Sequence, residues 1–256
     1  MSFKMFAAID AGSYELAMKI FQVSKAGGVK EIDHIRHGID MGTETYSTGK
    51  LSPPRVDELC RILGEFSDIM KAYRVSDYVA YGTSAIRESE NTAILLNQIE
   101  VRTGIHIEVL SNSEQRFLDY KSIALQGEGF RKIIENGTAI VDIGGGSIQI
   151  SLFDKDTLVS TQNMRLGVLR LRERLQHMEA SVGKYEILID ELVDSQMAVY
   201  KKLYLKDREI KNIIVVDDYI SVLLRKKKNG GEMRGYAGKD LIDRVEKSIR
   251  PKGFPA

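Results

Sequence analysis

The chain has 256 residues, enough for two domains with cores of their own, and its 43% hydrophobic and 29% charged residues are ordinary globular composition. A formal charge of +1 gives no general attraction to nucleic acid or an anionic membrane, so any anion site has to be local. Cys60 is the only cysteine, which excludes an internal disulfide and a cysteine-based metal site, and no apolar run approaches the roughly 18 residues a membrane helix needs.

Met1-Ser2-Phe3-Lys4 runs straight into a strand with no signal-peptide apolar region before it, so a cytoplasmic protein is expected. Residues 4–10, 15–23 and 29–39 read as strands. Leu16, Met18 and Ile20 alternate in the second, and Ala26-Gly27-Gly28 turns the chain into the third. Ser52-Pro53-Pro54 starts a helix, with the serine as N-cap and proline in the first turn, and Val56, Leu59, Leu63, Phe66, Ile69, Met70 and Tyr73 supply its apolar stripe. A strand is predicted from Val75 to Tyr81, a helix over 91–103, a strand from Ile105 to Leu110 and a helix over 113–126. Beyond these the opening pattern repeats, with strands near 138–143, 147–153 and 157–164. Helices follow over 167–178 and 183–205, then a buried strand from Ile213 to Val216. Arg225-Lys226-Lys227-Lys228-Asn229-Gly230-Gly231 reads as a solvated loop or as a groove that attracts polyanions, and one more amphipathic helix is expected after Gly238.

Two short stretches carry the chemistry. Asp10-Ala11-Gly12-Ser13 and Asp142-Ile143-Gly144-Gly145-Gly146-Ser147 each follow an apolar strand and precede a second strand. A carboxylate at a strand end followed by glycine brings metal-bound phosphate against bare backbone, because glycine allows a tight turn whose N–H groups approach phosphate oxygens. Either aspartate alone could be a turn former through its own side chain. Two such turns at the starts of similar halves point to related lobes gripping one phosphate-bearing ligand. The remaining chemistry is sparse. His34 and His37 fall on opposite faces of a strand, His106 and His177 are isolated, and neither a spaced dinucleotide fingerprint nor a Gly-Lys-Ser/Thr P-loop is present.

Four ordered stretches resemble the Ppx/GppA family of exopolyphosphatases and guanosine pentaphosphate phosphohydrolases. They are Ala7-Ala8-Ile9-Asp10-Ala11-Gly12-Ser13, the run from Gly82-Thr83-Ser84-Ala85-Ile86-Arg87-Glu88 to Asn91, Val141-Asp142-Ile143-Gly144-Gly145-Gly146-Ser147, and Arg165-Leu166-Gly167-Val168-Leu169-Arg170-Leu171. The resemblance covers roughly residues 5 to 175. It implies an α/β fold of two actin-like (ribonuclease H-like) lobes, mixed sheets flanked by helices with an inter-lobe cleft, divided at 1–125 and 126–256. It also implies Mg²⁺ and a polyphosphate or guanosine penta- or tetraphosphate ligand, with no nucleic-acid or membrane partner and a homodimer as an allowed assembly. Carried over by position, Asp10 and Asp142 would face the metal, and Gly12, Ser13, Ser84, Gly144, Gly145, Gly146, Ser147 and Gln149 would line the phosphates. Arg87 would neutralise a phosphate oxygen. Arg87 could instead pair with Glu88 or Glu90, and Thr83 and Ser84 could cap the turn that follows. Many relatives carry a C-terminal helical half, so the ending at Phe254-Pro255-Ala256 reads as a truncated or short member.

The departures from the family pattern are specific. The glutamate closing the second phosphate motif is Gln149, and the asparagine after Gly-Ser in the first is Tyr14. The family's catalytic-base glutamate falls on Gln115 when Leu118 and Tyr120 stay in register; a one-residue slip places Glu114 there instead. A late glycine-rich segment has become Asp217-Asp218-Tyr219. Glutamine accepts no proton at neutral pH, and losing a general base costs about 10²–10⁴-fold in rate. It can still orient a water, as in the GTPases. Three functions stand at this level: a weak Mg²⁺-dependent phosphoanhydride hydrolase, a silent module that binds polyphosphate or nucleotide, and a sugar or acetate kinase of the same superfamily. The third needs an adenosine pocket whose glycines are missing here.

Overall fold

Alternating apolar side chains build the first sheet. In β1 (Phe3–Ala11) Ala7, Ile9 and Ala11 are buried, and in β2 (Glu15–Ser24) Leu16, Met18 and Ile20, because a strand turns successive side chains to opposite faces. The computed structural model describes residues 3–25, 27–125, 128–177, 185–206 and 208–216. β1 and β2 pair antiparallel, and β2 pairs antiparallel with β3 (Gly28–Gly38) across a register shift at Ile20/Phe21. β4 (Asp77–Gly82) lies parallel to β1 and the two-residue β5 (Glu108–Val109) parallel to β4, giving the order β3-β2-β1-β4-β5.

The second sheet joins β6 (Thr138–Ile143), β7 (Ile148–Asp154), β8 (Thr157–Met164) and β9 (Asn212–Val216) in the order β8-β7-β6-β9. β6 and β9 are parallel. The order of the first sheet's first four strands, β3-β2-β1-β4, is therefore repeated, and the sequence expectation of a repeated opening run of strands agrees with it.

Helices fill the connections. α1 (Met41–Thr48) starts on Asp40, whose side chain accepts from the Thr43 N–H, and ends on Gly49 at φ 77°. α2 (Pro53–Ala72) carries two prolines at its start, where the missing N–H has no helical partner to lose, and buries Val56, Leu59, Cys60, Ile62, Leu63, Phe66 and Met70. α3 (Ser84–Glu88), α4 (Thr92–Thr103), α5 (Asn112–Ala124) and α6 (Glu128–Ile134) precede the second sheet. α7 (Val168–His177) and α8 (Tyr185–Tyr200) follow it, and a π-helical turn, Lys201–Leu205, extends α8.

The chain forms two compact units. The first contains residues up to Leu118, Gly144–Ile148 and Asn163–Leu203; the second contains Asp119–Ile143, Gln149–Gln162 and the described residues from Tyr204 on. The first unit's core gathers the β1, β2 and α2 residues named above with Ile86, Leu95 and Ile99. The second centres on Ile123, Phe130, Ile134, Ile140 and Phe153, with Tyr120 and Phe130 meeting Phe153 edge-on. No helix among the described residues is long and apolar enough to cross a membrane. Asp217-Asp218-Tyr219, the basic run from Arg225 to Lys228 and the helix expected after Gly238 lie outside the described residues.

Candidate functional site

The two Asp-Gly turns share one construction. After Asp10 the Gly12 N–H donates to the Glu15 carbonyl at 3.0 Å, and after Asp142 the Gly144 N–H donates to the Ser147 carbonyl at 2.9 Å. Asp10 stands opposite Ala17 in the β1–β2 register. The residue at the same sequence offset from Asp142 is Gln149, whose Nε2 donates to Asp142 Oδ2 at 3.4 Å.

Within the first unit the Gly144–Ser147 turn is anchored by α7. The Val168 and Leu169 N–H groups donate to the Gly144 and Gly145 carbonyls at 3.3 and 2.9 Å, and Arg170 Nε donates to the Gly146 carbonyl at 2.7 Å. The two backbone bonds satisfy first-turn donors of α7 that have no partner inside their own helix. A trans peptide points its N–H opposite to its C=O, and the described residues have no cis bond. Three consecutive carbonyls turned to α7 therefore turn the N–H groups of Gly145, Gly146 and Ser147 away from it, a row suited to an anion. Gly167 is required for this approach, since a Cβ there would fall on the backbone of Gly145, Gly146 and Ser147.

Against the same turn stand three hydroxyls. Ser13 Oγ lies 2.7 Å from Tyr46 Oη and 2.8 Å from Ser84 Oγ, and Tyr46 Oη lies 2.9 Å from Ser84 Oγ. Ser13 and Ser84 are 6% and 8% exposed. A Cβ built on Gly145 would sit 3.2 Å from Ser13 Cβ, and one on Gly146 would fall on Tyr46 Oη and Ser84 Oγ. The predicted phosphate-lining residues Ser13, Ser84, Gly145 and Gly146 thus come together in one unit. Gly12 and Gly144 shape the two turns by their N–H bonds.

Arg170 lies over the Tyr46 ring, 3.8 Å from its centroid, and forms an ion pair with Glu88, which Arg165 joins at 2.7 Å. Arg87 instead donates to the Leu110 carbonyl at 2.6 Å and to Asn112 Oδ1 at 2.7 Å. Burial holds its guanidinium below the usual range, with Glu88 and Tyr46 acting in the opposite sense. Thr83 makes no side-chain cap bond to α3, and its Oγ1 donates to the Ala11 carbonyl at 3.4 Å.

On α5, Glu114 and Ser111 form a capping box: the Ser111 N–H donates to Glu114 Oε2 at 2.8 Å and the Glu114 N–H to Ser111 Oγ at 3.2 Å. The bonds from Ser111 hold the Glu114 carboxyl below its usual range. The Oε1 atoms of Gln115 and Gln149 are both buried with no hydrogen-bond partner among the described residues. Each is an amide oxygen where the resemblance expects a carboxylate. His34 and His37 do fall on opposite faces of β3, and His37 packs on Phe66, ring centroids 5.7 Å apart. Among the described residues no group of three or more His, Cys, Asp or Glu side chains gathers as a metal site.

Tyr46, Glu88 and Arg170 were not legible as site residues. α1, which carries Tyr46, had usable signals: an Asp N-cap at 40 and a glycine after the last turn at 49. Arg170 and Glu88 stand inside two of the family-like stretches, but that placement gives neither a role, because their roles come from contacts distant in sequence.

A family profile described as the Ppx/GppA phosphatase family matches residues 20–248. Exopolyphosphatase 1 of Mycobacterium leprae is 26% identical over 144 residues, 56% of this chain and 41% of that protein. A bifunctional 3-dehydroquinate synthase/phosphatase of Fusobacterium nucleatum is 21% identical over 174 residues, 66% of this chain and 26% of that one. The match thus spans 41% of the first relative's length and 26% of the second's. Among solved structures, an exopolyphosphatase from Cytophaga hutchinsonii superposes with a TM-score of 0.70 at 18% identity, covering 86% of this chain and 69% of that one. The Aquifex aeolicus member of the Ppx/GppA family gives 0.64 at 21% identity, covering 87% and 69%. At these identities the superpositions show the fold, and they agree with the expected actin-like α/β architecture of two mixed sheets flanked by helices.

Proposed function

This chain belongs to the Ppx/GppA phosphatase family, and from that premise we propose that it is a weak phosphoanhydride hydrolase of exopolyphosphatase or guanosine pentaphosphate phosphatase type. The observation that carries the reading is the convergence of Ser13, Ser84 and the outward amide row of Gly145, Gly146 and Ser147 in one unit. Hydroxyl and amide donors of this kind suit the peripheral oxygens of a terminal phosphate. Phosphoryl transfer has a loose transition state, so fixed donors and charge neutralisation supply most of the catalysis.

Magnesium fits the donor set. Mg²⁺ binds through one or two carboxylates, its own waters and substrate oxygens, so the lack of a three-ligand cluster does not count against it. The family resemblance assigns Asp10 and Asp142 to it as carboxylates, and the buried Oε1 of Gln149, whose Nε2 donates to Asp142, has no hydrogen-bond partner among the described residues. When bound, the ion would neutralise charge on the phosphate chain. The protein would position the terminal phosphate, while Gln115 orients the attacking water without taking its proton.

A second reading, a silent polyphosphate or nucleotide sensor, is favoured by the Gln149 amide. It donates to Asp142, as a carboxylate in its place could not. Phosphate release from polyphosphate and from guanosine pentaphosphate with Mg²⁺, for the native chain and for Gln115→Glu/Gln149→Glu, separates the two. We expect slow release by the native chain and an increase of about 10²-fold or more in the double variant. Binding without release by either protein would establish the sensor. Rapid release by the native chain would contradict the role assigned to the glutamines.

A further inference from the structure

Ser13, Tyr46 and Ser84 form a closed ring of hydroxyls with edges of 2.7, 2.8 and 2.9 Å. Three hydroxyls bring three protons, and each can donate to one neighbour and accept from another. Closed in this way, the ring has no proton left for a ligand. An anion can recruit the serine protons only when the ring opens, and the outcome then depends on the third member. With a phenol present, its O–H donates into the serine pair, and both serine protons are free to turn outward. With no hydroxyl at position 46, the serines would remain bonded to each other and keep one proton between them.

Tyr46 is held for this task. Its ring lies under Arg170, itself fixed by the Gly146 carbonyl and by Glu88. A cation against the ring face anchors the phenol, and donation into a serine oxygen polarises that serine's own O–H toward the ligand. α1 is tied down at its start by Asp40, which receives the Thr43 N–H and pairs with Arg172 at 2.7 Å. The contact with Gly146 leaves no room for a side chain there, so phenol, serines and amide row are packed as one body. None of these residues except the two serines and the glycines was expected at the site.

We propose that Tyr46 is a positioning residue: its O–H, donated into the Ser13–Ser84 pair, aims both serine protons at a terminal phosphate oxygen. This rests on the phosphate-site reading above. The test uses inorganic tripolyphosphate with Mg²⁺, titrated calorimetrically into the native chain, Tyr46→Phe, Ser84→Ala and the double variant. Phenylalanine keeps the ring under Arg170, so the melting temperature should barely move, while affinity falls about ten-fold, the size expected for a hydrogen bond to a charged acceptor. In the Ser84→Ala background the same change should have little further effect, because a hydroxyl acting through the serines is coupled to them. Equal affinity of the native chain and Tyr46→Phe, or fully additive losses, would overturn the inference while leaving the phosphate site standing. No binding by the native chain would instead remove the phosphate-site reading and this inference with it.

Discussion

Glycine at 167 and at 146 meets different obstacles, and the difference is measurable. A Cβ at 167 would strike backbone of the glycine turn, whereas one at 146 would strike the ends of the Tyr46 and Ser84 side chains. Side chains can rotate away and an anchored turn cannot, and overpacking typically costs about 1–3 kcal/mol. Gly167→Ala should therefore destabilise the chain more than Gly146→Ala, while Gly146→Ala should still impair phosphate binding; chemical denaturation of both variants checks the ranking. A pH effect arises at Asp119, which burial raises from 3.8 to about 6. The folded state then holds this proton more tightly than the unfolded one. The resulting stabilisation is complete below 3.8 and is lost as pH rises through about 6. Melting temperatures of the native chain and Asp119→Asn should diverge in favour of the variant as pH rises from 3.8 through about 6; parallel curves would contradict the assignment. At this scale the sequence exposed what backbone geometry demands. Asp10, Gly12 and Gly144 to Gly146 stood out because turns of this kind tolerate few residues. Tyr46 did not, since its partner Ser13 is 33 residues away.

Helices and strands show where periodicity misleads. The predicted strand from Ile105 to Leu110 pairs only through Glu108 and Val109, although Ile105, Ile107 and Leu110 are all buried. Alternation reports which side chains face inward, and that requires no ladder of hydrogen bonds. α1 went unpredicted because its polar run Thr43-Glu44-Thr45-Tyr46-Ser47-Thr48 lacks an apolar stripe, so its caps define it. Removing the cap should therefore matter: Asp40→Ala should cost about 1 kcal/mol from the lost helix start. Because the change also breaks the Arg172 pair, tripolyphosphate affinity should fall through looser placement of Tyr46. A melt together with a titration reads both; unchanged affinity would show that α1 does not position the ring. Glu114 is instructive too. The Ser111…Glu114 spacing is a recognised helix-start signature, and the structure uses that carboxylate as a cap. α2 followed its periodicity closely, and Phe66→Ala, removing a ring with no exposed surface, should cost about 3–5 kcal/mol in chemical denaturation.

The whole molecule is organised by repetition: two sheets share one strand order, and each opens with an aspartate-glycine turn closed by the same N–H bond. That plan was readable in the chain because duplicated strands and turns repeat both hydrophobic pattern and glycine placement. The anchoring of the second turn by α7 was not readable, since it depends on Gly167 and Arg170 approaching backbone more than twenty residues earlier. The proposed activity requires the serines and the amide row to be a phosphate site. A crystal structure of the native chain grown with tripolyphosphate and Mg²⁺ tests this most directly. A terminal phosphate is expected within hydrogen-bond distance of Ser13 Oγ, Ser84 Oγ and the Gly145 and Gly146 amides. A phosphate chain bound elsewhere, with the three hydroxyls still closed on one another, would contradict it.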